Sequence, residues 1–330
     1  MKIPGLKTLK LYSRWLRSKL SSHALILGYH RVADVAQDPY QYCVSPGNFA
    51  EQLEVLVRHT QVISLAELVD GIRAGQLPER AVALTFDDGY VDNYQHARPL
   101  LEAHQLPGTV FVVTGSFGCQ YWWDRLEAAF FTQAPLHSQL ALTIAGVEYE
   151  WSLTEQREGD ARQSNDVRAQ ALLSIYRKLL NADPEEREKA LLEIESWAGV
   201  GGWEKKRYPR AMTSEEVIEL SADGLIEIGS HTASHLSLTR LPPAEQRREI
   251  TDSKSALENL LGRSVSSFSY PNGAVSKEAV SLVQQAGYQC ACTSINDVVR
   301  GDSHVFQLPR FWIPDWDGVA FERWLWKWGW

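Results

Sequence analysis

Apolar and polar positions along this chain follow two periods. Short unbroken apolar runs at 24–29, 62–63, 81–86 and 108–114 read as strands. Between them, apolar residues recur every three or four positions. Ser45 and Pro46 open a helix that carries Phe49, Leu53 and Leu56 on one face. Ser64 caps a second helix reaching Gly75, with Glu67 at the capping-box position. A third runs over 92–105 and stops before Pro107. Strand and helix in strict alternation give an α/β fold with a parallel sheet or barrel.

The alternation breaks after Gly115. Tyr121, Trp122 and Trp123 lead into a helix, residues 140–153 alternate around Gly146 like a hairpin, and 166–197 read as two helices parted near Asp183 and Pro184. The strand–helix order then resumes. A capping box at Thr213 and Glu216 starts a helix, and strands follow at 225–229, 265–270 and 288–293, with a last one within 306–313. Helices at 242–261 and 276–286 lie between them. The resulting division is an N-terminal basic amphipathic segment, 1–23, a core at 24–116 and 211–316, an insertion at 117–210 and a Trp-rich segment at 317–330.

Composition narrows the function classes. The 330 residues are 44% hydrophobic, enough for a sizeable core, and the net charge of -8 argues against a nucleic-acid footprint. Four cysteines are too few for a disulfide scaffold, and Cys290 and Cys292 fall in a strand as core residues. No apolar run is long enough to span a membrane. Six Lys or Arg precede Ser21 with no acid among them, and Leu6, Leu9, Tyr12, Trp15, Leu16 and Leu20 fall near helical spacing. Four tryptophans crowd the last seven residues beside Lys327. Both ends suit contact with a membrane surface, and a peripheral place on the cytoplasmic side is the expectation. An ordinary packed helix at each end is the alternative.

Several strands end in side chains that bind metals or move protons. Asp87 and Asp88 end one, His231 and His235 follow another, and His30 ends the first. A helical turn after the strand would place His231 and His235 one turn apart, facing one ion. Two imidazoles and a carboxylate make a catalytic zinc set with a position open for water. A second, unbound carboxylate can act as general base, and Asp87 and Asp88 supply both roles.

Thr85-Phe-Asp-Asp-Gly89 with Ser230-His-Thr-Ala-Ser-His235 resembles the two metal-site motifs of the polysaccharide deacetylase family, also called the NodB-homology domain or carbohydrate esterase family 4. The resemblance covers 24–116 and 211–313. It implies a distorted (β/α)7-type barrel, here with a largely helical insertion, and metal-dependent removal of N-acetyl groups from amino sugars. By that likeness Asp87 is the base, and Asp88, His231 and His235 bind the metal, usually zinc, though another divalent transition metal is an alternative. The family's third motif is matched loosely by Phe268-Ser-Tyr-Pro-Asn-Gly273, with Ser269 near the place of the family's arginine. Arg310 is the residue to replace it, and Tyr270 and Asn272 fall at the substrate and oxyanion side. The late Leu-x-His motif is missing. Gly28-Tyr-His-Arg-Val32 resembles instead the N-terminal segment of the subgroup acting on poly-N-acetylglucosamine exopolysaccharide, where the histidine takes the acid role. The expected reaction is hydrolysis of an N-acetylhexosamine amide. A deacylase of a lipid-linked or small glycoside, or an O-acetyl esterase, would use the same centre. A non-catalytic saccharide-binding barrel is the rival of another class.

Overall fold

The computed structural model describes residues 23–132, 135–153, 161–200 and 209–328. The N-terminal amphipathic segment up to residue 22 lies outside them. The described chain forms two compact units: 23–35, 42–118 and 211–328 make one, and 36–41 with 119–132, 135–153, 161–200 and 209–210 make the other.

The first unit is a parallel sheet wrapped by helices. Its elements are β1 (His23–Tyr29), β2 (Arg31–Val32), β3 (Cys43–Val44), α1 (Pro46–His59), β4 (Gln61–Val62), α2 (Leu65–Ala74), β5 (Ala81–Phe86), α3 (Arg98–His104) and β6 (Gly108–Val112). The second unit contributes α4 (Trp122–Phe130), β7 (Gln139–Ile144), β8 (Val147–Ser152), α5 (Ala161–Leu179) and α6 (Pro184–Trp197). The first unit resumes with α7 (Ser214–Leu220), β9 (Ile226–Ser230), α8 (Pro243–Leu261), β10 (Ser267–Ser269), α9 (Lys277–Gln285), β11 (Cys290–Cys292), β12 (Val299–Arg300), β13 (Phe311–Trp312) and α10 (Gly318–Trp326).

The sheet order is β11-β10-β9-β6-β5-β1, with β12 added antiparallel to β1 and β4 beside β5. The segment from Leu308 to Trp312 closes the ring. Leu308 bridges Cys292 of β11, and β13 pairs in parallel with β1, setting Trp312 opposite Gly28. Among the described residues this gives seven staves, the (β/α)7-type barrel.

Side chains of a strand point alternately to its two faces. Leu25, Leu27, Tyr29, Val82, Leu84 and Phe86 pack outward in one apolar cluster with helix residues such as Phe49, Leu101 and Leu257. Ala24, Ile26, Ala81, Ala83, Phe111, Cys292 and Leu308 form a second cluster, which fills the barrel. That parity places several of the functional side chains. Gly28 and His30 continue the inner row of β1, Thr85 and Asp87 that of β5, and Arg310 and Trp312 that of Leu308. Gly229 carries the inner row of β9 past Phe111, where a Cβ would lie 2.4 Å from the ring, so no larger residue fits there.

Two details depart from the sequence pattern. The helix read over 92–105 begins as a π turn, Asn93–Ala97, before α3. The Asn93 side chain donates to the His30 carbonyl at 2.9 Å, and His96 Nδ1 meets the Val32 carbonyl at 2.7 Å, which draws this turn onto the end of β1. At the other end of the unit, Asp317 caps α10, which buries Phe321 and Leu325. Glu51 and His59 of α1 bond Gly318 and Glu322, so the two helices are fastened along their length.

In the second unit, Leu140, Leu142 and Ile144 of β7 pack with Phe130, Leu172, Ile175, Leu191 and Ile194. Ala145 and Gly146 both have positive φ, as a tight hairpin turn requires. Arg125 joins Glu188 and Glu195 at 2.7 Å each.

Candidate active site

The site lies at the carboxyl ends of the staves, where parallel α/β sheets place their chemistry. Asp87 follows β5 and is buried. Its carboxylate receives Arg310 Nη1 on Oδ1 at 2.7 Å and Nη2 on Oδ2 at 2.8 Å. Arg310 is fully buried, and all five of its N–H groups have acceptors. The other three are Thr85 Oγ at 3.2 Å, Ser269 Oγ at 2.9 Å and the Thr293 carbonyl at 3.0 Å. Ser269 in turn donates to Asp87 Oδ2 at 3.1 Å, and Thr85 donates to the Leu27 carbonyl at 2.9 Å. Burial works to raise the Asp87 pKa, but the Arg310 guanidinium and the nearby His231 outweigh it and hold the carboxyl well below the usual range.

Asp88 breaks the strand parity because its φ of 68° is left-handed. The turn swings its carboxylate away from Arg310 and toward His231 and His235. Their Nε2 atoms lie 3.5 and 3.3 Å from Asp88 Oδ1. The two histidines do not sit on a helix, as the four-residue spacing would suggest. Thr232 and His235 are themselves left-handed, with φ of 68° and 56°, and the loop doubles back. Thr114 and Gly115 hold it by donating to the carbonyls of Thr232 and Ala233.

The donor set fits a small divalent cation. One ligand atom from each of Asp88, His231 and His235 lies within 4.8 Å of the others. Ligands about 2.0–2.1 Å from a tetrahedral zinc stand roughly 3.3 Å apart, close to the two Asp88–histidine separations. His231 Nδ1 lies 2.8 Å from the Ser269 carbonyl, so it carries the proton and Nε2 turns its lone pair toward Asp88. Burial pushes His231 down to about 4, which keeps it in the neutral, ligating form. Burial would raise Asp88, but the neighbouring imidazoles, His235 first, hold it below its ordinary value.

His30 is half-buried at the end of β1, between two aromatic rings. Tyr42 and Trp312 each stack on it with centroids 4.3 Å away and planes tilted by 21°. Burial pushes its pKa below the ordinary value, opposed by the carboxylates of Asp88 and Asp87. Tyr270 has both donors engaged: its N–H bonds the Cys292 carbonyl at 3.2 Å and its hydroxyl the Phe306 carbonyl at 3.1 Å. Asn272 lies in the next turn with φ 56°. Burial pushes the Cys290 and Cys292 thiols up, Cys292 to about 12, consistent with core packing rather than metal binding.

Sequence reasoning missed Thr85, Thr293, Tyr42 and Trp312. Thr85 and Trp312 had a signal, since each stands two positions from a site residue on the same strand face. Tyr42 and Thr293 had none, because the fold alone brings them here.

A closed parallel barrel with an Asp–His–His set beside an arginine-bound aspartate defines a recognisable class of α/β enzyme fold. A family model described as polysaccharide deacetylase matches residues 74–132 and 195–291. The poly-β-1,6-N-acetyl-D-glucosamine N-deacetylase of Staphylococcus aureus (strain MSSA476) is 31% identical over 108 residues, which is 29% of this chain and 37% of that protein. YxkH of Bacillus subtilis (strain 168) is 22% identical over 248 residues, 75% of this chain and 57% of that one. The chain thus spans little more than half of these relatives' length, or less. Among solved structures, IcaB from Ammonifex degensii superposes with a TM-score of 0.59 at 18% identity, covering 92% of this chain and 97% of that one. The Streptococcus pyogenes deacetylase PplD, solved with acetate, gives 0.59 at 17%, covering 92% and 98%. These likenesses establish the fold.

Proposed function

We propose that the protein is a metal-dependent hydrolase that removes N-acetyl groups from an N-acetylhexosamine-containing saccharide. The observation that carries this reading is the adjacency of two differently held carboxylates. Asp87 is locked to Arg310, and Asp88 faces His231 and His235. The name of the S. aureus relative supports the substrate class.

Asp88, His231 and His235 hold the cation, zinc being the first choice for this donor set. When bound, such an ion lowers the pKa of water from about 15.7 toward 7 and polarises a carbonyl. Asp87 accepts the proton of the attacking water. Its depressed pKa makes it a weak base, so the transfer runs together with bond formation to the acetamide carbon. Arg310 keeps both oxygens of Asp87 in one plane through that step. The N–H of Asn272 is the donor offered to the developing oxyanion. His30 gives its proton to the amine nitrogen as the C–N bond breaks. The products are acetate and a free amino sugar.

The test is acetate release from short N-acetylglucosamine oligomers by the intact protein, by the chelated protein and by Asp87→Asn. Turnover that survives both treatments overturns the reading.

Membrane contact rests on α10. Val319, Arg323, Trp326 and Lys327 are exposed on one side of this helix, with Val319 at 58% and Trp326 at 56%. Trp beside cations suits a membrane interface. We therefore propose a lipid-surface partner and a place at the inner face of a membrane. Cosedimentation with anionic liposomes, lost on removing residues 1–20 or in Arg323→Ser/Trp326→Ser, supports it. Retention by both variants, or no cosedimentation of the intact chain, overturns it.

A further inference from the structure

The rings around His30 have a geometry that the proposed reaction does not by itself require. Two rings centred 4.3 Å from one imidazole cannot share a face without overlapping each other, so Tyr42 and Trp312 lie on opposite faces. The imidazole is a filled slot. Its plane is set by its neighbours, and its edges, which carry the nitrogens, are what remain to meet a reactant.

Trp312 does more than close one side. The Arg310 guanidinium carbon stands 4.7 Å from its ring centre, so one indole touches both the imidazole of His30 and the cation that holds Asp87. The indole is held in its turn. Its residue pairs with Gly28 across the closing seam, and the next residue, Ile313, donates to the Gly28 carbonyl at 3.1 Å. A Cβ on Gly28 would stand 2.8 Å from Trp312 Cε3 and Cζ3, so the missing side chain is what lets the ring lie there. The backbone of His30 is held separately, by the Asn93 side chain.

We propose that Trp312 and Tyr42 are positioning residues for proton donation. They hold the His30 imidazole in one plane, and Trp312 ties that plane to Arg310, so that the proton donor and the clamp on the base are fixed by one indole. This rests on His30 being the donor proposed above.

The discriminating chemistry is the leaving group. An amine must be protonated as it departs, whereas 4-nitrophenolate leaves without a proton. The full-length protein, with metal added equally to all variants, is assayed on N-acetylglucosamine oligomers and on 4-nitrophenyl acetate. Trp312→Leu and Tyr42→Leu should lower kcat on the amide by about tenfold to a hundredfold, a part of what a general acid supplies. KM on the amide and turnover of the ester should stay within about twofold, with the same pattern in His30→Ala at greater depth. Trp312→Phe and Tyr42→Phe keep a stacked ring and should recover most of the amide rate. Gly28→Ala, which displaces the indole, should resemble Trp312→Leu. In the metal-free protein, the ring-proton NMR signals of His30, assigned by their loss in His30→Ala, should move downfield in Trp312→Leu as one ring current disappears.

The failures separate. If His30→Ala leaves the amide rate intact, the donor reading falls and the inference with it. If His30→Ala is selective for the amide but Trp312→Leu lowers amide and ester equally, or neither, the donor stands and the positioning role is overturned. A rise in KM at unchanged kcat would make Trp312 a substrate contact and also overturn it. An unshifted His30 signal would remove the sandwich itself.

Discussion

Arg310 and Asp87, 223 positions apart in the sequence, meet in a two-pronged ion pair of 2.7 and 2.8 Å, sealed from solvent. The pair fixes the charge and the orientation of the carboxylate together. Removing the guanidinium would take away the largest of the influences that lower the Asp87 pKa and let its burial, which raises the pKa, count for more against His231 and His30. In Arg310→Met the acid limb of the pH–rate profile should therefore move to higher pH, and activity should fall by at least about a hundredfold. Breaking a buried pair from one side costs about 3–5 kcal/mol, so thermal unfolding should also shift down. Arg310→Lys keeps the charge but not the fork, and should retain more stability than activity.

The metal set makes a prediction that needs no substrate. Purified protein should take up zinc near one equivalent, and saturating zinc should raise the unfolding temperature. Asp88→Asn and His235→Ala should each abolish both effects at micromolar metal. Asp87→Asn, which leaves the three ligands in place, should still bind. Elemental analysis and thermal shift provide the check.

Ser269 contributes through two parts of one residue. Its carbonyl accepts from His231 and its hydroxyl joins Asp87 to Arg310. Ser269→Ala removes only the hydroxyl. Metal affinity should be unchanged, while kcat falls by about tenfold, or about 1.4 kcal/mol, the order expected for one lost hydrogen bond to charged groups. Parallel metal titration and acetate-release kinetics separate the two.

Gly229 is a packing prediction with a functional echo. The Cβ of Gly229→Ala would stand 2.4 Å from Phe111, whose ring fills the barrel. Overpacking of this kind costs about 1–3 kcal/mol. Since His231 lies two residues on, the same substitution should weaken zinc binding. Calorimetric unfolding with and without metal would show both losses.

Much of this site was legible in the sequence because strand parity is a local property. The inner rows of β1 and β5 can be read off 24, 26, 28, 30 and off 81, 83, 85, 87, and they end on His30 and Asp87. Asp88 was legible as a ligand by motif but not by parity, since its orientation comes from a left-handed turn that no propensity of aspartate dictates. His235 illustrates the same limit. The spacing suggested a helix, whereas strand-end bonds from Thr114 and Gly115 impose a doubled-back loop. Tyr42 reaches His30 only because β2 and β3 pair, and that two-residue contact leaves no pattern to read. The π turn at Asn93 is likewise the product of its bonds to β1 rather than of its own residues.

The stave that shuts the ring is also the one that delivers Arg310. Until that stave is seated, Asp87 has no counter-ion and the cylinder has an open seam. A folding chain thus acquires its last wall and its neutralised acid in the same act of assembly, and a half-closed intermediate is inert by construction.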